Sequence, residues 1–223
     1  MIEQVPFKSL ILRAVLRHVR PMVIRQVAVS DQTSLPEFND IFCAILGWSG
    51  NFGYIFRVHA QEFNSFRRKT RSKALHEFKL HRQEKFLYIC DTLHMWEWDI
   101  QVLDIHEGTN EDKEPACLGG RGATPPELCG GPTGYRLMLK RQNEGNAMLA
   151  PAMVQTGILM LAETCPDQSP ETWELLRTAM DDGLSSIDQR LKESGPLEPE
   201  RFSLQEAAER LRIFTRPRRG LWS

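Results

Sequence analysis

Two histidines and four carboxylates crowd one stretch of this chain: Asp91, His94, Glu97, Asp99, Asp104 and His106. A carboxylate beside an imidazole is material for general acid–base chemistry. An extended backbone would put alternate members of the set on one face. Cys117 and Cys129 follow, and with His94 or His106 they offer the ligand types that a metal uses. Structural zinc sites usually need four such ligands in closely spaced pairs, and no CxxC pair occurs here. The spacing therefore points to no metal and to no cofactor. A different chemistry belongs to FRRKTRSK, where Phe66 leads Arg67, Arg68, Lys69, Arg71 and Lys73. Cations next to an aromatic ring suit phosphate contact and base stacking, so this segment is the candidate nucleic-acid site. No phosphate-binding GxxxxGK[ST], serine elbow, HExxH or kinase signature is present.

The elements that must position these groups follow from the pattern of apolar residues. Residues 7–18 and 22–30 read as two strands, with Val19-Arg20-Pro21 as the turn of an opening hairpin. In the second strand the polar positions, Arg25 and Gln26, fall on both faces, so the alternation is imperfect. Residues 34–48 read as a helix. Ser34 is the N-cap, Pro36 sits in the first turn and Glu37 completes a capping box. Leu35, Phe38, Ile41, Phe42, Ile45 and Leu46 form the apolar face, and Gly47 ends the helix. A third strand is expected over 51–63, a loop with a short helix over 64–84, and two more strands over 85–92 and 96–107. Trp96 and Trp98 share strand parity, so they form either a buried row or a partner surface.

GGRGATPPELCGGPTGY, residues 119–135, holds six glycines and three prolines, and it reads as one rigid loop. Helix formers dominate after it, over 146–163, 170–192 and 203–214; Ser203 and Glu206 form a capping box in the last of these. Strands followed by helices argue an α+β fold with a mostly antiparallel sheet. The ββαβ-ββ order is β-grasp-like. The expected division is an α+β core over 1–135, including the loop, and a helical part over 136–223 packed on it.

Hydrophobic residues make up 41% and charged residues 26% of the 223, as expected for a chain with a real core. Five widely spaced cysteines, an odd number, fit reduced thiols. With no long apolar run and no leader pattern at the start, the expected location is the cytoplasm, with no membrane partner. Residues 1–90 carry a charge balance of +7 and the remainder −8, so a basic half faces an acidic one.

The loop residues Cys117, Pro125, Pro126, Glu127, Cys129, Gly130, Gly131, Gly134 and Tyr135 resemble the signature of the plasmid Ri open-reading-frame-three-like family, also called the insertion-element passenger TnpR-like family. TSLPEFNDIFCAILGW is similar to that family's helix ending in Gly47-Trp48, FLYICDTLHMWEWDIQV to its strand pair, and RFSLQEAAERL to its closing helix. The resemblance spans nearly the whole chain. The loop's own glycines and prolines argue a structural clasp packed on the sheet, ahead of a phosphate- or peptide-cradling loop, and the resemblance brings no assigned activity with it. The chain departs from the pattern at particular places. Ile24 stands for a tryptophan, Phe52 and Trp98 for histidines, Leu93-His94 for Gly-Asp, and Leu128 for an aspartate. Acid–base chemistry relying on those groups would be lost or altered here. The leading expectation is thus a non-enzymatic binding or adaptor protein associated with plasmids or mobile elements, its partner another protein. Behind it stand a nucleic-acid-binding accessory protein and a hydrolase or metal-dependent enzyme at the 91–106 strand pair.

Overall fold

The computed structural model describes residues 6–67, 73–92, 94–109, 114–144 and 197–215, together with 169, 171, 174 and 178. Seven strands form one sheet: β1 (Lys8–Leu16), β2 (Ile24–Ser30), β3 (Tyr54–Val58), β4 (Gln61–Asn64), β5 (Lys85–Cys90), β6 (Trp96–Glu107) and β7 (Ala116–Arg121). Their order is β4-β3-β5-β6-β1-β2-β7, and every neighbouring pair is antiparallel. The opening hairpin and the helix that follows it keep the expected layout, so the α+β class holds.

Helix α1 (Leu35–Leu46) forms for the reasons its sequence states. The Ser34 hydroxyl accepts from the Glu37 N–H, the Glu37 carboxylate accepts from the Ser34 N–H, and Gly47 closes the helix at φ 77°. Its apolar face covers the sheet with aromatic rings. Phe42 meets Trp98 edge-on at 5.0 Å, and Phe38 meets Tyr88 at 5.7 Å. Trp96 and Trp98 are both 0% exposed. The partner surface envisaged on them is therefore corrected: parity turns both rings inward under α1, where Trp48 lies tilted against Trp96 with ring centroids 5.5 Å apart.

The expected third strand is two strands. Val58 pairs with Gln61 across a two-residue turn, with His59 and Ala60 both at positive φ. Such a turn usually announces itself with Asn or Gly, and His-Ala does not. The glycine-proline segment is also shorter as a loop than its composition suggests. Its start, Gly119–Arg121, belongs to β7, and Gly131–Tyr135 opens helix α2 (Gly131–Glu144).

Strand β7 closes on Arg25, which is buried in a row with Val27 and Val29. Its Nη1 donates to the carbonyls of Ile24, Arg121 and Gly122 at 2.6–3.1 Å, and Nη2 donates to Thr124 Oγ1 at 2.8 Å. The Phe202 ring lies 4.5 Å from the guanidinium. A Cβ on Gly120 would stand 2.6 Å from the Ile24 carbonyl and 2.9 Å from that ring, so only glycine admits the stack. The imperfect alternation read in this strand is this buried cation, with its acceptors supplied by three backbone carbonyls and the Thr124 hydroxyl.

Helix α3 (Leu204–Thr215) carries half of the expected capping box, Ser203 Oγ accepting from the Glu206 N–H at 3.2 Å. The Glu206 carboxylate pairs with Arg201. Ala207 and Leu211 are buried, and Arg210 donates to the Ile45 carbonyl of α1 at 3.0 Å. The chain falls into two compact units, Met1–Arg136 with Pro199–Ser223, and Leu137–Glu198. The closing helix thus groups with the sheet and not with the stretch before it. The helix expected over 146–163 lies outside the described residues. So does most of 170–192, of which 171, 174 and 178 are helical.

Candidate functional site

Three loops meet at one end of the sheet. The first leaves α1 at Gly47 and runs to β3. The second is the turn from β5 to β6, and the third is the glycine-proline loop before α2. Indole and carboxylate groups join them. Trp48 Nε1 donates to the Pro125 carbonyl at 2.9 Å, and Trp96 Nε1 reaches the Glu127 carbonyl at 3.5 Å. The Glu127 carboxylate accepts from both the Ser49 N–H and the Ser49 hydroxyl, each at 2.9 Å. Thr92 N–H donates to the Gly53 carbonyl at 2.9 Å.

The β5–β6 turn is wound around Asp91, which is buried at φ 64°. Its carboxylate takes the His94 N–H at 3.3 Å and also the His94 imidazole Nδ1. The imidazole meets the half-buried Phe52 ring edge-on at 6.1 Å. Two of the positions where this chain departs from the family pattern, Phe52 and His94, are therefore neighbours in space. Gly131 closes over the same turn at φ 72°. A Cβ there would lie 2.4 Å from the His94 carbonyl oxygen.

The remaining acid–base candidates are separated from this dyad. Asp99 and Glu97 share the Arg17 guanidinium, with Nη2–Oδ1 at 2.6 Å and Nη1–Oε2 at 3.1 Å. Asp104 pairs with Arg82 at 3.4 Å. The strand pair thus does not gather its carboxylates and histidines into one centre, because the turn claims Asp91 and His94 while the solvent face claims the rest.

The loop cysteines do not converge either. Cys117 lies on β7 with its thiol toward the Gly119 carbonyl at 3.9 Å. The Cys129 thiol points to the Gly131 carbonyl at 3.8 Å. Burial raises Cys117 and pushes Cys129 up to about 11, so both favour the neutral thiol. Among the described residues no group of three or more His, Cys, Asp or Glu is arranged to hold a metal ion. Tyr135, in the first turns of α2, is buried.

Of the basic segment, Arg67 and Lys73 are described; Arg68, Lys69 and Arg71 lie outside the described residues. Arg67 is exposed, while Lys73 is paired with Glu77 at 2.5 Å. Phe66 is 76% exposed, and its ring edge lies against Gly53. Met95 at 42% and Leu128 at 64% are large apolar side chains left open on the β5–β6 turn and the glycine-proline loop. Sequence reading named Asp91 and His94 without singling out their pairing, and it missed the Ser49–Glu127 anchor and the exposed apolar rim. The signal for the rim was present at Leu128, an apolar residue where the family pattern is acidic.

No helix among the described residues is long and apolar enough to cross a membrane. A search of curated proteins finds the uncharacterized protein y4hQ of Sinorhizobium fredii (strain NBRC 101917 / NGR234), 27% identical over 136 residues, covering 56% of this chain and 68% of that one. Among solved structures, a protein of unknown function from Methanosarcina mazei Go1, MM3350, shares the fold with a TM-score of 0.57 at 18% identity, over 74% of this chain and 93% of that one. The family model described as plasmid pRiA4b ORF-3-like protein matches residues 8–154, which include the sheet, the clasp and α2; the chain belongs to that family.

Proposed function

We propose that this is a non-enzymatic binding or adaptor protein that docks a partner protein at the loop end of the sheet. The observation that carries the reading is a set of exposed apolar side chains at the loop end: Met95 and Leu128 beside the Trp96–Glu127 contact, and Phe66 with its ring against Gly53. Anchored apolar side chains lose little entropy on docking, and exposed apolar groups clustered at one end are typical of interaction sites. Asp91 and His94 bond to each other and shape the turn beneath this rim. Action in the cytoplasm, and an association with plasmids or mobile elements, belong to the same proposal. The first rests on the widely spaced cysteines, the second on the family's description.

The test compares the wild type with Phe66→Asp and Leu128→Asp variants as bait in extracts of the native host. A protein retained by the wild type and released by both variants is expected, with thermal unfolding of the baits unchanged. Identical recovery by all three overturns the reading. The exposed Phe66-Arg67 pair favours a second reading, nucleic-acid binding by the basic segment. Affinity for duplex DNA would then fall with salt at a slope of roughly 0.9 per phosphate contacted, and Arg67→Ala, Arg68→Ala, Lys69→Ala would flatten it. Absence of binding to DNA or RNA at low salt and micromolar protein removes that reading.

A further inference from the structure

Two thiols lie against each other beneath the loop end. Cys43, in the last turn of α1, and Cys90, the final residue of β5, are both buried, and their Sγ atoms are 3.3 Å apart. A disulfide requires about 2.05 Å between sulfurs, so small side-chain rotations separate the pair from bonding distance. Cys117 and Cys129, in contrast, each face a backbone carbonyl. We propose that Cys43 and Cys90 are an oxidation site, which a peroxide converts into an intramolecular disulfide tying α1 to the end of β5. This inference stands apart from partner binding.

The chemistry balances with hydrogen peroxide as oxidant. The sulfur of one cysteine, deprotonated, attacks a peroxide oxygen and the O–O bond breaks. The departing hydroxide takes up the thiol proton as water and leaves a sulfenic acid. The second sulfur then attacks the first; the S–O bond breaks, the S–S bond forms, and the hydroxyl leaves as water with the second thiol's proton. Two electrons pass from the sulfur pair to the peroxide, and two waters form. Hydrogen peroxide is close to water in size and carries no charge, which suits a site that excludes bulky disulfide reagents. Hydrogen bonding to Cys90 and burial hold the Cys43 thiol well above its ordinary range. The reaction is therefore slow at neutral pH and quickens as pH rises.

The bridge would act at a junction. The Trp48 N–H donates to the Cys43 carbonyl at 2.9 Å, Gly50 packs on the Cys43 side chain, and Cys90 leads directly into Asp91. Both loops that flank His94 are rooted on the pair.

The test is a peptide map of the full, folded wild-type chain after exposure to millimolar hydrogen peroxide and alkylation of remaining thiols. Trypsin releases Cys43 in residues 26–57 and Cys90 in residues 86–113. The expected product is these two peptides joined, two hydrogens lighter than their sum and separated by dithiothreitol. The treated protein should also melt at a higher temperature, a gain that dithiothreitol reverses. Cys43→Ser or Cys90→Ser should abolish the joined species, but the wild-type map decides even if neither variant folds. Recovery of both residues as free thiols while Cys117 or Cys129 is oxidised overturns the proposal. So does recovery of Cys43 and Cys90 as sulfinic acids in separate peptides.

Discussion

Glu127 reaches back 78 residues to Ser49 and grips it twice, through the backbone N–H and the hydroxyl, each at 2.9 Å. One carboxylate thereby fixes the family's loop to the segment leaving α1. The clasp depends on this pair and on the Trp48 indole bond to Pro125, not on glycine and proline alone.

Replacing Glu127 with alanine should therefore loosen the loop. A charged acceptor with two short bonds, partly open to water, contributes about 1 kcal/mol. Ser49→Ala removes one of the two bonds and should cost less. Urea unfolding midpoints of the three proteins check the order; equal midpoints would show that the anchor adds nothing.

Gly130 and Gly131 both have positive φ, but their surroundings differ. A Cβ on Gly131 strikes the His94 carbonyl at 2.4 Å, whereas on Gly130 it would meet nothing closer than the Gly134 Cα at 3.7 Å. Either substitution to alanine carries backbone strain of about 1–3 kcal/mol. Gly131→Ala should cost visibly more, since the β5–β6 turn must also move. Thermal melts that rank the two variants the other way would refute this account.

Arg25→Met should destabilise the sheet edge by about 1–3 kcal/mol, because the Arg121 and Gly122 carbonyls lose a buried donor. Burial draws the guanidinium down to about 10, so it remains charged at neutral pH. Release of that buried charge offsets part of the loss. A midpoint unchanged or raised would mean that the offset prevails.

The Cys129 thiol carries a pH signature. Burial pushes it up to about 11 from an ordinary 9.0, so the folded chain holds this proton over a range where the unfolded chain releases it. Its contribution is fully present below the unfolded value and is lost as pH rises through the folded one. Stability should fall from about pH 9 towards 11, and Cys129→Ala should fall less steeply over that window. Urea midpoints against pH for the two proteins measure the difference; parallel curves would sink the claim.

Elements with strong local signals were legible in the sequence. Helix α1 carries its start in Ser34 and Glu37 and its stop in Gly47, and the structure uses all three. The α3 cap at Ser203 is equally local. Strand β7 was not legible, because Gly119 and Gly120 have no side chains to alternate and are selected by the approach of Phe202 from 82 residues onward in the chain. Nor was the β3–β4 turn, where tertiary pairing imposes positive φ on His59 and Ala60. At the site, the loop's family signature was visible, but its partners Ser49 and His94 became evident only once the fold brought distant segments together.

The stack of Phe202 on Arg25 also sets a schedule for synthesis. The sheet edge at β7 and the surface of α1 near Gly47 wait for residues 199–215, which leave the ribosome after all of 137–198. Until then the nascent chain lacks the Phe202 ring that covers Arg25 and Gly120, and the guanidinium stands open on that face. A chain that ends within 137–198 would thus hold the seven strands with the Arg25 stack incomplete. The cation is left uncovered in that interval, after the strands are made and before the closing helix arrives.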